Sequence, residues 1–339
     1  MQTRKILLIG GTGTISTAVV TALGKDIQNE IVVLNRGHKQ VPSYVQQIVC
    51  DVNEEDALGR AVAGDNYDVV IDFLVYDAKQ AQERVRIFQG HVRQYFFIST
   101  VVTFNHEHTV WLNENSVQKN RFSRYGQNKK LAEDVFRQAY ENGFPVTIVR
   151  PSQTYSTDRI PLSVKGKSCW SVVSRIVRGK SVIVHGDGKA IWHMMHSSDF
   201  AYNFVQLIGN PNAIGKSVNL VNPAVVTWDM IYEEIAKQLG TKLKICHIAS
   251  DTLACSNKYD NIETILGDKQ FSNMYGKGMI NQLIPDFRCS VDLQQGIAMY
   301  LSNVEAHPEL KVEDAEYDEW CDTLIHEYHR FMKMVAQNY

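Results

Sequence analysis

Apolar and polar positions alternate in blocks along the first half of the chain. Residues 5–9 (KILLI), 31–34 (IVVL), 68–73 (DVVIDF), 95–99 (YFFIS) and 146–149 (VTIV) are short apolar runs, with a weaker one at 47–49. Runs of this length bounded by turn residues read as strands buried on both faces of a sheet. Helix-length segments separate them, at 14–23, through Ala57 and Ala61 with Asn53 as the cap, at 78–88 and at 125–142. Six strands interleaved with helices form βαβ units. Right-handed crossovers then leave an α/β fold, a Rossmann-type doubly wound parallel sheet, as the economical topology.

Beyond Arg150 the alternation loosens. Pro151 and Pro161 bracket a polar loop, strand-like pieces at 181–185 and 217–221 mix with helices near 197–208 and 228–238, and 313–335 reads as a polar helix. The expected organisation is a sheet body over residues 1–155, joined by a returning helix at about 190–210, and a smaller C-terminal α/β lobe from 156–189 and 211–339.

Composition narrows the picture by exclusion. With 44% hydrophobic and 21% charged residues the chain is an ordinary globular one, and disorder is excluded. Its 35 basic and 37 acidic residues leave a net charge near −2, which weighs against broad nucleic-acid or anionic-membrane binding. No apolar window approaches the ~18 residues of a membrane span, and the N-terminus runs straight into a strand, so a cytoplasmic protein is expected. The six cysteines form no CxxC pair and read as reduced thiols.

Candidate chemistry begins at the turn after the first strand, Gly10-Gly11-Thr12-Gly13-Thr14-Ile15-Ser16. Glycines there allow a sharp turn and close approach of a pyrophosphate to the backbone, and the following helix N-terminus offers free N–H groups. Gly10 and Gly13 match two positions of a G-x-x-G-x-x-G pattern, with Ser16, small enough to pack, at the third. At the end of the second strand, Asn35-Arg36-Gly37-His38-Lys39 carries no carboxylate for ribose hydroxyls, while Arg36 and Lys39 offer charge to a 2′-phosphate. NADP(H) is therefore preferred, with NAD(H) as the alternative. Further on, Tyr125 and Lys129 form Y-x-x-x-K, which puts both side chains on one helix face. A neighbouring cation favours the phenolate of a tyrosine whose ordinary pKa is about 10.

With the Ser99-Thr100 end of the fifth strand, these motifs resemble the extended short-chain dehydrogenase/reductase family, in its NAD(P)-dependent epimerase/dehydratase branch. The resemblance covers about residues 4–302. It implies a catalytic set of Thr100, or Ser99 one residue earlier, with Tyr125 and Lys129. It also implies adenine contacts at Asp51 and Val52, cofactor contacts at Phe73, Leu74 and Pro151, and substrate contacts at Thr100, Val101, Gln153 and Trp192. The sheet body would bind the dinucleotide and the second lobe the substrate. Asp199, after Gly186-Asp187-Gly188, would cap or brace the returning helix, and residues 285–296 resemble the family's late helix entry. A homodimer through helices near 78–89 and 126–142 is implied by analogy.

Departures shape the expected activity. Val101 and Val102 stand where 4,6-dehydratases carry Asp and Glu, so a dehydratase of that mechanism is not expected. Trp192 replaces an arginine that meets the diphosphate in many nucleotide-sugar epimerases, and Ser156-Thr157 follows Tyr155 where Gly-Pro is usual. The expectation is an NAD(P)-dependent ketoreductase or epimerase acting at a secondary alcohol or ketone of a sugar-derived, nucleotide-linked or free, substrate. A second reading, an RNA-associated or dinucleotide-sensing protein that kept the fold, is motivated by similarity of GGTGTIS…LNRG to chloroplast stem-loop-binding relatives. His326-x-x-His329 and His106-Glu107-His108 read as solvated segments, and no metal is required. Lys165, Lys167, Arg175, Arg178 and Lys180 read as a solvated face, with an anionic-substrate contact as the alternative.

Overall fold

The computed structural model describes residues 3–256, 258–259 and 261–338. Its centre is a seven-stranded, all-parallel sheet. The apolar runs form β1 (Arg4–Ile9), β2 (Asn29–Asn35), β3 (Gln46–Val49), β4 (Tyr67–Asp72) and β5 (Val92–Ile98). Helices α1 (Thr14–Leu23), α2 (Ala57–Ala61) and α3 (Ala78–Phe88) connect them. A short β6 (Trp111–Leu112) precedes α4 (Arg124–Glu141), after which β7 (Val146–Pro151) closes the segment.

One cap differs from expectation. The residue before α2 is Asp56, in left-handed geometry, while Asn53 gives its N–H and its amide to the Asp51 carboxylate. An Asx turn thus won over a helix cap.

The second half is more regular than its sequence suggested. Pro151 ends β7 instead of opening a loop, and β8 (Gln153–Tyr155) follows at once. Next come α5 (Trp170–Val177), β9 (Val182–His185), β10 (Ile191–Trp192), β11 (Met194–His196) and α6 (Ser197–Phe204). Strand β12 (Ser217–Leu220) pairs in parallel with β7 and supplies the seventh strand, one more than the first half provides. Then follow β13 (Val226–Thr227), α7 (Trp228–Gln238), β14 (Ile245–Ile248), α8 (Ser250–Ala254) and a π-helical segment (Ile262–Lys269). The chain ends in β15 (Met274–Tyr275), α9 (Gly278–Leu283), α10 (Leu293–Ala306) and α11 (Ala315–Asn338).

Apolar clusters cover both faces of the sheet. One joins Leu7, Ile9, Val70 and Phe97 to Phe88 of α3 and Phe136 of α4. The other joins Ile6, Leu8 and Val19 to Phe200 and Phe204 of α6. A third, around Trp228, Tyr232, Ile183 and Val172, makes a separate core for the remainder. Tyr317, Cys321 and Ile325 set α11 into that core, so this polar helix is anchored along one face. Among the described residues no helix is long and apolar enough to cross a membrane.

The basic residues grouped at 165–180 separate in space. Arg175, Arg178 and Lys180 pair with Asp318, and Arg175 and Lys180 also reach Asp322, which ties α5 to α11. His106 is likewise no solvated residue: it is buried, bonded to Asn273 at 2.6 Å and stacked on Phe271. Asp199 braces instead of capping. Its carboxylate accepts the N–H groups of Ser290 and Val291, while His196 caps α6.

At the C-terminal end of β4 a fully buried ion pair fixes the edge where β4 meets α3. Arg84 donates to Asp72 at 2.9 Å, and the same carboxylate accepts from Tyr95 Oη and the Leu74 N–H. Asp72→Ala, which leaves the buried guanidinium with Glu83 as its one carboxylate partner among the described residues, should cost about 3–5 kcal/mol of stability. Urea denaturation checks this, and a loss within that of a surface substitution would show that the pair is not a brace.

Candidate active site

The glycine turn is built for close approach. Gly10 lies at φ +87°, and a Cβ there would stand 2.7 Å from Leu74 Cγ; one on Gly11 would stand 2.7 Å from Val33. Ser16 Oγ accepts the Gly13 N–H and donates to the Gly10 carbonyl, both at 2.7 Å, so the serine at the third glycine position knits the turn as well as packing. Thr14 and Ile15 open α1. Across the turn, Lys39 Nζ reaches the Thr12 carbonyl at 3.3 Å. Asn35 is buried, its Oδ1 accepting from Gly37 and Gln47, and its Nδ2 has no partner among the described residues. A glycine-rich cradle and an orphaned buried donor at the end of β2 are the features a dinucleotide would fill. Arg36 is exposed beside them, Val52 is buried, and Asp51 is occupied by its turn with Asn53.

The sequence-predicted residues Ile15, Phe73, Thr100, Val101, Tyr125, Lys129, Pro151, Gln153 and Trp192 line a single cavity of about 810 Å³. The remaining predicted cofactor residues lie outside its lining, around the ends of β1 to β4.

Helix α4 sets the chemistry. Ser123 caps it by accepting the Gly126 N–H at 3.0 Å. A Cβ on Gly126 would stand 2.5 Å from the Val102 carbonyl, so only glycine lets the helix lie against the short turn after β5. That turn begins at Thr100, whose Oγ1 accepts the Val102 N–H at 3.2 Å. The two candidate hydroxyls differ: Ser99 Oγ is bound to Glu133 at 2.6 Å, whereas Thr100 touches Tyr125.

Lys129 is buried and donates to the carbonyls of Val75 and Ile98 at 2.6 and 2.8 Å. Burial pushes its ammonium down to about 7, against the pull of Asp72 and Glu133. Desolvation holds the Tyr125 phenol above its ordinary range, Tyr76 and Asp268 add to the rise, and the Thr100 hydroxyl opposes it. The balance at the Tyr125 phenol thus runs upward, where a lowering by Lys129 was expected. The ammonium is aimed at backbone carbonyls.

Four groups escaped the sequence reading. Glu133, one turn beyond Lys129, is buried and accepts from Arg150 Nη2 and Arg137 Nη2 at 2.6 Å and from Gln118 at 2.9 Å, besides Ser99. Burial works to raise its pKa, but Arg150, Arg137 and Ser99 hold it below the usual carboxylate range. Its place at i+4 from Lys129 on the same face was the available signal. Asn120 bridges the Val102 and Gly267 carbonyls. His193 and Asp268 join the cavity wall from segments distant in sequence, which no local pattern marks. Lys165 of the basic group also lines the cavity, and Trp192 lies against Trp228 with centroids 5.0 Å apart.

Residues 83–221 match the model of the NAD dependent epimerase/dehydratase family. On that match the resemblance to the extended short-chain dehydrogenases/reductases, in their epimerase/dehydratase branch, holds. A 2'-dehydrokanamycin reductase of Streptomyces kanamyceticus is 25% identical over 294 residues, 85% of this chain and 81% of the relative. The UDP-glucuronic acid 4-epimerase of Bacillus cereus, solved with UDP-glucuronic acid and NAD, superposes with a TM-score of 0.71 at 16% identity, over 89% of this chain and 99% of that one. A dTDP-glucose 4,6-dehydratase of Bacillus anthracis, solved with NAD, does so with a TM-score of 0.71 at 16% identity, over 90% and 98%. The fold is thus common to epimerases and a dehydratase, and it does not itself exclude water elimination. The NADP preference finds no support here, since the cofactor in both solved neighbours is NAD.

The Lys129 site predicts a pH signature in stability. Its folded pKa of about 7 lies below the ~10.4 of an unfolded lysine, so between these values the unfolded chain holds more protons. The contribution of this residue to stability should rise with pH across that window and be lowest below it. The stability difference between the wild type and Lys129→Met, followed by urea denaturation from neutral to alkaline pH, should show that rise; a flat difference would refute it.

Proposed function

We propose that the protein is a nicotinamide-dinucleotide-dependent oxidoreductase acting at a secondary alcohol or ketone of a sugar-like substrate, working as a ketoreductase. The observation that carries this reading is the convergence of Thr100, Tyr125 and Lys129 on one cavity beside the glycine-rich turn at Gly10–Gly13. A protonated Tyr125 suits the direction of reduction, in which a proton must be given to the substrate oxygen. The reductase relative supports the same direction.

In this reading Gly10, Gly13 and the first N–H groups of α1 hold the pyrophosphate, Asn35 and Lys39 meet the adenosine ribose, and Pro151 lies against the nicotinamide. Bound there, the cofactor supplies the hydride. Thr100 orients the substrate oxygen and Tyr125 protonates it. Lys129, held by two carbonyls, has one N–H left to grip the nicotinamide ribose. Gln153, Val101 and Trp192 shape the substrate side. Val101 and Val102 carry no transferable proton, which favours reduction over elimination. The division into a dinucleotide-binding body and a substrate lobe belongs to the same proposal, with β12 counted to the body. So does a dimer through α3 and α4, where Leu131 is exposed.

Epimerisation is the second reading, favoured by the likeness to UDP-glucuronic acid 4-epimerase. It requires the cofactor to stay bound through oxidation and re-reduction. Native mass spectrometry of the purified protein separates the two: an empty site filled by added dinucleotide supports the reductase, and a retained cofactor the epimerase.

Tyr125→Phe should lower turnover by about 10²- to 10⁴-fold while leaving dinucleotide affinity within a factor of about two. Turnover like the wild type would remove Tyr125 from the mechanism. If Arg36 meets a 2′-phosphate, Arg36→Ala should weaken NADPH about 10-fold more than NADH. Equal weakening of both in a fluorescence titration would remove Arg36 from the 2′-phosphate.

A further inference from the structure

Asp268 stands in the π-helical segment Ile262–Lys269, which is docked on the start of α4. Asn120 Nδ2 ties the Val102 carbonyl at 2.8 Å to the Gly267 carbonyl at 2.6 Å, and the Arg124 N–H donates to Glu263 Oε1 at 2.6 Å. A Cβ on Gly267 would stand 3.1 Å from Ser123 Cβ, the cap of the helix that carries Tyr125. On the other side Lys269 Nζ donates to the carbonyls of Leu162 and Ser163 at 2.9 and 2.8 Å. Residue 268 is thus fixed between two anchored neighbours, in a helix form that occurs mostly as single turns at functional positions.

Its carboxylate has no hydrogen bond and no ion pair among the described residues, yet it lines the same cavity as Thr100 and Tyr125. An ionised carboxyl can only accept, and leaving it unmet in a filled cavity is costly. Reduction of a ketone needs one proton at the substrate oxygen, which Tyr125 supplies, so a second acid has no step to serve. The remaining use is recognition.

Resting on the oxidoreductase reading above, we propose that Asp268 determines specificity: its carboxylate accepts a hydrogen bond from a hydroxyl or ammonium group of the sugar-like substrate, at a position other than the oxygen held by Thr100 and Tyr125. Asp268 sits among Tyr125 of α4, Tyr275 of β15, Lys269 and Glu263 of its own segment, and Arg159 and Lys165 from the loop after β8. Burial pushes its carboxyl up to about 7 against the pull of Lys269. A substrate donor favours the ionised form, so affinity for that substrate falls as pH drops through this value.

The test uses the whole protein with added NADH or NADPH and a panel of keto-sugars. The panel contains 2'-dehydrokanamycin, a UDP-linked 4-keto sugar, and matched pairs that differ by an amino or a hydroxyl group. Asp268→Ala should raise KM about 10-fold at about pH 8, with kcat within about threefold and dinucleotide binding unchanged. The difference should shrink at about pH 6, where the wild-type carboxyl is protonated. Asp268→Asn should restore a hydroxyl-bearing substrate but not an ammonium-bearing one, which identifies the donor. Wild-type KM rising between those two pH values is a second measurement that needs no variant. An unchanged KM in Asp268→Ala, an equal offset at both pH values, or a pH-independent wild-type KM would each overturn the proposal. Wild-type protein inactive on the entire panel would instead overturn the reading beneath it.

Discussion

The buried carboxylate of Glu133 is the point on which the site depends. It lies on α4, yet its partners come from the residue after β5 (Ser99), β7 (Arg150), the loop before the helix (Gln118) and α4 itself (Arg137). A carboxylate without water is costly unless each lone pair is met, and here every one is. Tyr125, Lys129 and Glu133 fall at i, i+4 and i+8, so one stripe of the helix holds the proposed proton donor, the proposed cofactor grip and the anchor. Because Ser99 and Arg150 are neighbours of Thr100 and Pro151, the anchor also sets where the strand ends meet the cavity.

Much of the fold was legible because local signals agreed. The β1 run, the glycine turn and α1 fall where the pattern put them, and α3 and α7 begin and end at the predicted residues. Tyr125 and Lys129 were visible as a spaced pair, and the cavity residues from Ile15 to Trp192 followed once the family resemblance supplied a frame. What stayed hidden was made by tertiary contact. Strand β12 looks like any short apolar piece until it pairs with β7. Asp268 lies 143 residues after Tyr125, and nothing in a π-helical segment of mixed polarity marks it. His106 seemed a surface residue because its polar neighbours exposed nothing of Asn273 and Phe271, which bury it.

The electrostatics of the cavity also ran against the simple pairing rule. A lysine one turn from a tyrosine was expected to favour the phenolate. Desolvation instead discourages charge on both, leaving the lysine poised near neutrality and the phenol protonated. Asp268 is held near neutrality from the opposite side, as an acid made reluctant to ionise. Desolvation thus works against charge on all three groups that line the cavity.

The pairing of β12 with β7 has a consequence for how the chain is made. Until residues 217–220 have left the ribosome, the β7 edge of the parallel sheet has no partner and its row of backbone groups lies open. Helix α6, whose Phe200 and Phe204 complete the core behind β1, also arrives late. The nascent first half is therefore not a finished folding unit despite carrying the strands, the glycine turn and the tyrosine–lysine pair. Synthesis passes through a long interval in which a sticky sheet edge and a half-covered apolar face coexist, the stage at which chaperone binding or misassembly is decided.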